Sequence, residues 1–180
     1  MEEKVNVWKA NLNNGLILGL VGIVYALVIY FLDLSFNKFQ GLVFIVIELG
    51  LLFYLLKSYR DNFLHGQITY GQSVGAGTVI FLYYAIIMGV FTYILYAVID
   101  TGLVAKQLAF VEEQMVDRGL PQAAIDAGMD LQAKLIKPGI IAIISIFGSM
   151  LGGVIMSLII SIFIRKEGNP LIDTPENTSE

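Results

Sequence analysis

Residues 139–164 read GIIAIISIFGSMLGGVIMSLIISIFI, without a single Asp, Glu, Lys, Arg or His. A hydrocarbon core of roughly 30 Å is crossed by about 20 helical residues at about 1.5 Å each. This stretch therefore spans a bilayer with length to spare, and must tilt or protrude. Working outward, three more apolar blocks lie at 15–32, 41–56 and 74–99. The block at 41–56 is short, but Phe39 and residues 57–59 extend it by a turn and snorkel. Lipid offers no partner to unpaired backbone groups, so the spans are expected as helices. A transmembrane barrel would instead show short alternating segments. The first block is long for a signal-peptide core and is followed by no small-x-small site before Asp33 and Lys38, so it is expected to stay as an anchor.

Composition agrees. Hydrophobic residues make up 57% of the 180 and charged residues 14%, against about 45–50% and about 25% in soluble proteins. The charges are confined to a few short segments. The expected fold is all-α: an integral membrane four-helix bundle in one transmembrane domain, residues 1–166, with a polar tail over 167–180. A net charge of −4 with no basic stripe excludes nucleic acid as a partner. With no cysteine, disulfides and thiol catalysis are out of reach; with His65 as the one histidine, no His-based metal cluster is expected. No metal or cofactor is expected.

Residues 100–138 are too long for a simple turn. Val104, Leu108, Val111 and Met115 recur at helical spacing, with Glu112, Glu113, Asp117 and Arg118 elsewhere around the helix. Gly119 can end that helix and Pro121 can open another, along which Ile125, Met129 and Ile136 continue the apolar stripe. A short amphipathic helical pair is expected between helices three and four. It either caps the bundle or meets a partner.

Orientation rests on Lys and Arg near the helix ends. With the N-terminus inside, Lys4, Lys9, Lys57, Arg60, Arg165 and Lys166 are cytoplasmic, and Lys38, Lys106, Arg118, Lys134 and Lys137 lie outside. The first set abuts the short connections that the rule weighs most, so both termini are expected in the cytoplasm.

Glu48 is the one acid in the middle of a span. Its same-face neighbours Phe44, Ile45, Leu51 and Leu52 cannot pair with it. A charged acid there costs roughly 2.5–3.5 kcal/mol on insertion scales, which favours a neutral, hydrogen-bonding acid unless a partner or water stabilises the ion. Tyr25, Tyr84, Thr92 and Ser149 lie at similar depth on the other spans. The set Glu48, Tyr25, Tyr84 and Ser149 is either a proton or cation site, or a polar stitch between helices. In the fourth block Ser145, Ser149, Gly153, Ser157 and Ser161 recur every four residues, beside Gly148 and Gly152; the first block carries Gly15, Gly19, Gly22 and Ala26. Small residues so spaced let helices approach closely, either inside the bundle or at a homodimer seam.

Between the second and third blocks, Lys57, Arg60 and His65 are candidates for contact with lipid phosphate, or serve as ordinary anchors beside a tight turn. Residues 71–78, GQSVGAGT, resemble a phosphate loop but lack its lysine and its preceding strand. Their glycines are expected to let the chain turn into the third helix.

Asn14-Gly15 with Gly19, Lys57-x-Tyr59-Arg60-Asp61, Gly66-x-Ile68-x-Tyr70-Gly71-Gln72 and Asp100 resemble a bacterial membrane family catalogued as domain of unknown function 4199. The resemblance runs to about Lys166. It implies a four-helix inner-membrane protein, supplies no activity, and points no further than to lipid-linked partners. Three readings follow. The first is a non-catalytic scaffold or accessory subunit. The second is a small oligomeric transporter or channel subunit with Glu48 in the pathway. The third is a protein that binds or acts on a lipid-linked substrate, for which Lys57, Arg60, Asp61 and His65 are the compact candidates. The expected partners are membrane lipid and either further copies of the chain or another membrane protein.

Overall fold

Asn6 opens the first helix. Its side-chain oxygen accepts from Trp8 N (3.0 Å) and Lys9 N (3.3 Å), satisfying two of the amide donors that a helix start leaves free. Helix α1 then runs Val7–Phe31. The structure, a computed structural model, describes residues 5–37 and 39–167. Lys4 and Lys38 of the charge pattern, and the tail from residue 168 with Pro170 and Pro175, lie outside the described residues.

After α1 the chain continues as α2 (Gln40–Phe63), α3 (Tyr70–Ile94), a π-helical turn (Leu95–Ile99), α4 (Leu103–Asp117), α5 (Gln122–Leu135) and α6 (Pro138–Ile164). Helices α1, α2, α3 with its π turn, and α6 are each long and apolar enough to cross a membrane. The chain is an all-helical, multi-pass membrane protein.

Two boundaries differ from the apolar pattern for the same reason. Helix α2 continues past Leu56 through Lys57, Arg60 and Asp61, because backbone hydrogen bonding does not stop where the side chains become polar. Helix α3 starts at Tyr70, so residues 71–78 are helical and do not form the turn. A capping box fixes that start: Gln72 N donates to Thr69 Oγ1 (3.3 Å) and Thr69 N to Gln72 Oε1 (3.0 Å). The turn lies earlier, at His65 (φ 53°) and Gly66 (φ 81°), with Gly66 N reaching back to the Arg60 carbonyl (3.1 Å).

Helix α3 is the centre of the bundle, packed most extensively against α6 and α1, while α2 is held more loosely. Glycines make both major crossings possible. Gly15, Gly19 and Gly22 of α1 lie against Tyr83, Ile87 and Met88 of α3. Gly77 of α3 lies against Ser157 of α6, and Gly153 of α6 lies against Phe81 of α3. Between lipid-embedded helices the gain comes from close van der Waals contact, since lipid tails are as apolar as leucine. The α3–α6 crossing also carries a buried Ser161–Ser73 hydrogen bond of 2.8 Å.

The core gathers Leu52, Leu55, Leu56 and Tyr59 of α2 with Ala76, Ile80, Phe81 and Tyr84 of α3 and Ile160 and Ile164 of α6. It therefore sits toward the end of the bundle that holds the start of α1, the α2–α3 turn and the end of α6 (the tail end). The opposite, hairpin end carries α4 and α5. There Gly119 (φ 69°) closes α4 and Pro121 caps α5, whose Ile125 is buried and whose Gly128 meets Met115. The pair is rooted by the Phe36–Phe110 ring contact (centroids 5.2 Å) and by Asp100, which accepts from Gly102 N (2.9 Å) and Tyr30 Oη (3.2 Å).

Candidate functional site

Along α2, burial begins at Glu48; no earlier residue of that helix is buried. The helix leans on the core from Leu52 onward, and its first half stands off α6. The gap is a laterally open cleft of about 280 Å³, lined by Phe44 and Glu48 of α2, Phe81 and Tyr84 of α3, and Gly148, Ser149, Gly152, Gly153 and Met156 of α6. Glu48 lies about 12 Å along α2 from its start and Ser149 about 16 Å along α6, so both fall in the bilayer interior.

Glu48 is 7% exposed. The Tyr84 hydroxyl is its polar neighbour. A carboxyl group offers two oxygens, and Tyr84 answers at most one of them. The other polar group on the cleft wall is Ser149. Ser145 and Ser157 bond their own helix through Ala142 O (2.8 Å) and Gly153 O (2.6 Å); Ser149 has no side-chain hydrogen bond among the described residues.

The structure thus brings together Glu48, Tyr84 and Ser149, and leaves Tyr25 aside. Tyr25 lies against the start of α2, where its hydroxyl donates to Gln40 O (2.6 Å) and its ring stacks on Phe44 (centroids 4.7 Å). The small residues of α6 divide in a way that periodicity alone does not show. Gly153 and Ser157 pack against α3, whereas a Cβ added at Gly148 or Gly152 would meet nothing within 4 Å. Of the two alternatives, close approach inside the bundle describes Gly153 and Ser157, while Gly148 and Gly152 stand open because α2 does not close over that side.

A second cleft, of about 1280 Å³, opens at the tail end. His65, Lys166, Thr69 and Gln72 line it with Tyr59, Phe63 and Ile68. Lys57 and Arg60 do not. Lys57 is exposed on α2. Arg60 is engaged: Nε pairs with Asp61 Oδ1 (2.8 Å) and Nη1 donates to Ile164 O (3.2 Å). Beside it Ile68 and Lys166 exchange two backbone hydrogen bonds of 2.9 Å, and Tyr70 Oη donates to Leu158 O (3.1 Å). Most of the motif between residues 57 and 72 is therefore a clamp on the end of α6. Ser73 and the fully buried Asn11, which donates to Val7 O (3.0 Å), escaped sequence reasoning. Both precede the apolar blocks at 15–32 and 74–99, among other polar residues, so composition alone did not mark them as buried.

Four apolar helices around a glycine-lined crossing, with an acid sunk in a side cleft, define a polytopic helical membrane protein. The chain belongs to the family described as protein of unknown function (DUF4199), which matches residues 13–166 and so takes in every motif residue from Asn14 to Asp100. No curated protein and no solved structure matches the chain.

Proposed function

We propose that the chain is a non-catalytic accessory or scaffold subunit of a membrane assembly, and that its working surface is the Glu48 cleft, which receives a transmembrane helix. One observation carries this. A carboxyl group with an unanswered oxygen opens sideways at mid-depth, opposite a wall of α6 whose backbone is bare at Gly148 and Gly152. Bare backbone admits another helix to close contact, and the acid supplies a hydrogen bond that lipid cannot. A photoreactive residue at Leu151, exposed beside the cleft, should give a covalent adduct with a polypeptide in native membranes; the same probe at Val24, exposed on α1, should not. Adducts with lipid alone at both positions would sink the proposal.

The proposed setting is the inner membrane of a bacterium, with both termini cytoplasmic. The clamp supports this orientation by gathering Lys57, Arg60, Arg165 and Lys166 at one end of the bundle, where positive charge marks the cytoplasmic side.

A second reading, contact with an anionic lipid headgroup, is supported by Lys166 and His65 on the rim of the apolar-floored tail-end cleft. Native mass spectrometry with phosphatidylglycerol should show bound lipid that Lys166→Gln weakens. Equal retention by the variant would remove this reading.

A further inference from the structure

We infer that the helix received by the Glu48 cleft is α6 of a second copy of this chain, crossing its counterpart at Gly148 and Gly152 so that the partner's Ser149 completes the hydrogen bonding of Glu48. The inference rests on the docking reading above and names its occupant.

Three observations select this occupant. The first is self-complementarity. A two-fold contact needs one surface that matches itself, and α6 carries both halves: glycines at i and i+4 with open space before them, and a hydroxyl without a partner one residue from the first glycine. The second is the acid. Glu48 is more than nine-tenths buried and lines the same cleft, where Tyr84 can serve at most one of its two carboxyl oxygens. A serine hydroxyl donates and accepts, so it fits a carboxyl group in either protonation state. The third is coverage. Of the four spans α6 is the most apolar, yet only 11% of its apolar window is buried within the chain, against 39% for α3. Ile144, Leu151 and Ile155 stand exposed on either side of the two glycines. Acyl chains would cover an apolar wall equally well, but would answer neither the second Glu48 oxygen nor the Ser149 hydroxyl.

The chain has no cysteine, so single replacements report cleanly. In vesicles, Ile155→Cys should form a disulfide-linked dimer under mild oxidation, whereas Val24→Cys should not. Gly152→Leu should abolish that cross-link and leave the helical circular-dichroism spectrum of the chain unchanged, since a Cβ at that position meets nothing in its own chain. Glu48→Leu removes the pair twice in a two-fold dimer and should weaken dimerisation by about 10- to 200-fold, and Glu48→Gln much less. Adding Ser149→Ala to Glu48→Leu should cost nothing further, because the pair is already broken. A monomeric parent, or a cross-linking pattern indifferent to Gly152→Leu, overturns the inference. If Leu151 gives adducts only with a different polypeptide, the second copy is wrong and the docking reading stands. If neither position 151 nor position 155 reaches any protein, both fall.

Discussion

Arg60 reaches across the bundle to Ile164: its Nη1 stands 3.2 Å from the last carbonyl of α6, while its Nε holds Asp61 at 2.8 Å. A cation at a helix C-terminus meets both the unsatisfied carbonyls and the negative end of the helix dipole. The planar guanidinium serves two acceptors at once.

Arg60→Met should therefore lower stability in detergent by about 1.5–3 kcal/mol, the range for hydrogen bonds to charged groups. Arg60→Lys should recover only part of it, since one ammonium cannot hold the same fork. Thermal unfolding followed by circular dichroism would check this. Equal midpoints for parent and methionine variant would show that the clamp is idle.

Gly153 and Gly152 are neighbours with opposite expectations. A methyl group at Gly153 runs into the Phe81 side chain, so Gly153→Ala should destabilise by about 1–3 kcal/mol through overpacking. Gly77→Ala, against Ser157, should behave likewise. Gly152→Ala should leave the fold of the single chain untouched. The three midpoints, measured side by side, test the orientation of α6 directly.

Cysteines at Ser58 and Thr101 probe the two ends of the bundle. With the tail end cytoplasmic, an impermeant thiol reagent applied to intact cells should label position 101 and spare position 58. The reverse pattern would turn the molecule over.

Glu48→Gln removes the ability to ionise and keeps a hydrogen-bonding side chain of the same size. On the docking reading, parent and variant reconstituted in vesicles should pass protons and sodium no faster than empty vesicles. The variant should also fold as the parent does, whereas Glu48→Leu should lose about 0.6–2 kcal/mol of interhelical hydrogen bonding. A flux present in the parent and absent in the glutamine variant would favour a transport pathway instead.

The spans were legible in the sequence because a bilayer forces long uncharged runs, and residues 139–164 admit no other environment. What composition could not mark were helix ends in water. Residues 57–63 are polar yet helical, and Thr69-x-x-Gln72 was a capping signal hidden beside a more conspicuous glycine run. Glu48 stood out as a lone acid. That Tyr84 and Ser149 share its cleft while Tyr25 does not depends on how each helix is rotated about its axis, which no single span encodes. The same limit separated Gly152 from Gly153: adjacent positions lie about 100° apart around a helix, so one meets open space and the other packs against Phe81.

The π-helical turn at Leu95–Ile99 has a geometrical consequence for the hairpin. Such a turn adds one residue to the helical path, and one residue is about 100° of heading. Deleting a single residue there would restore the ordinary pitch and swing Asp100 away from Tyr30 and Gly102, so that α4 left the bundle along a different bearing. The direction in which this extramembrane segment points is thus set by a count, one residue more or fewer, before the contacts at Asp100 and Phe110 hold it there.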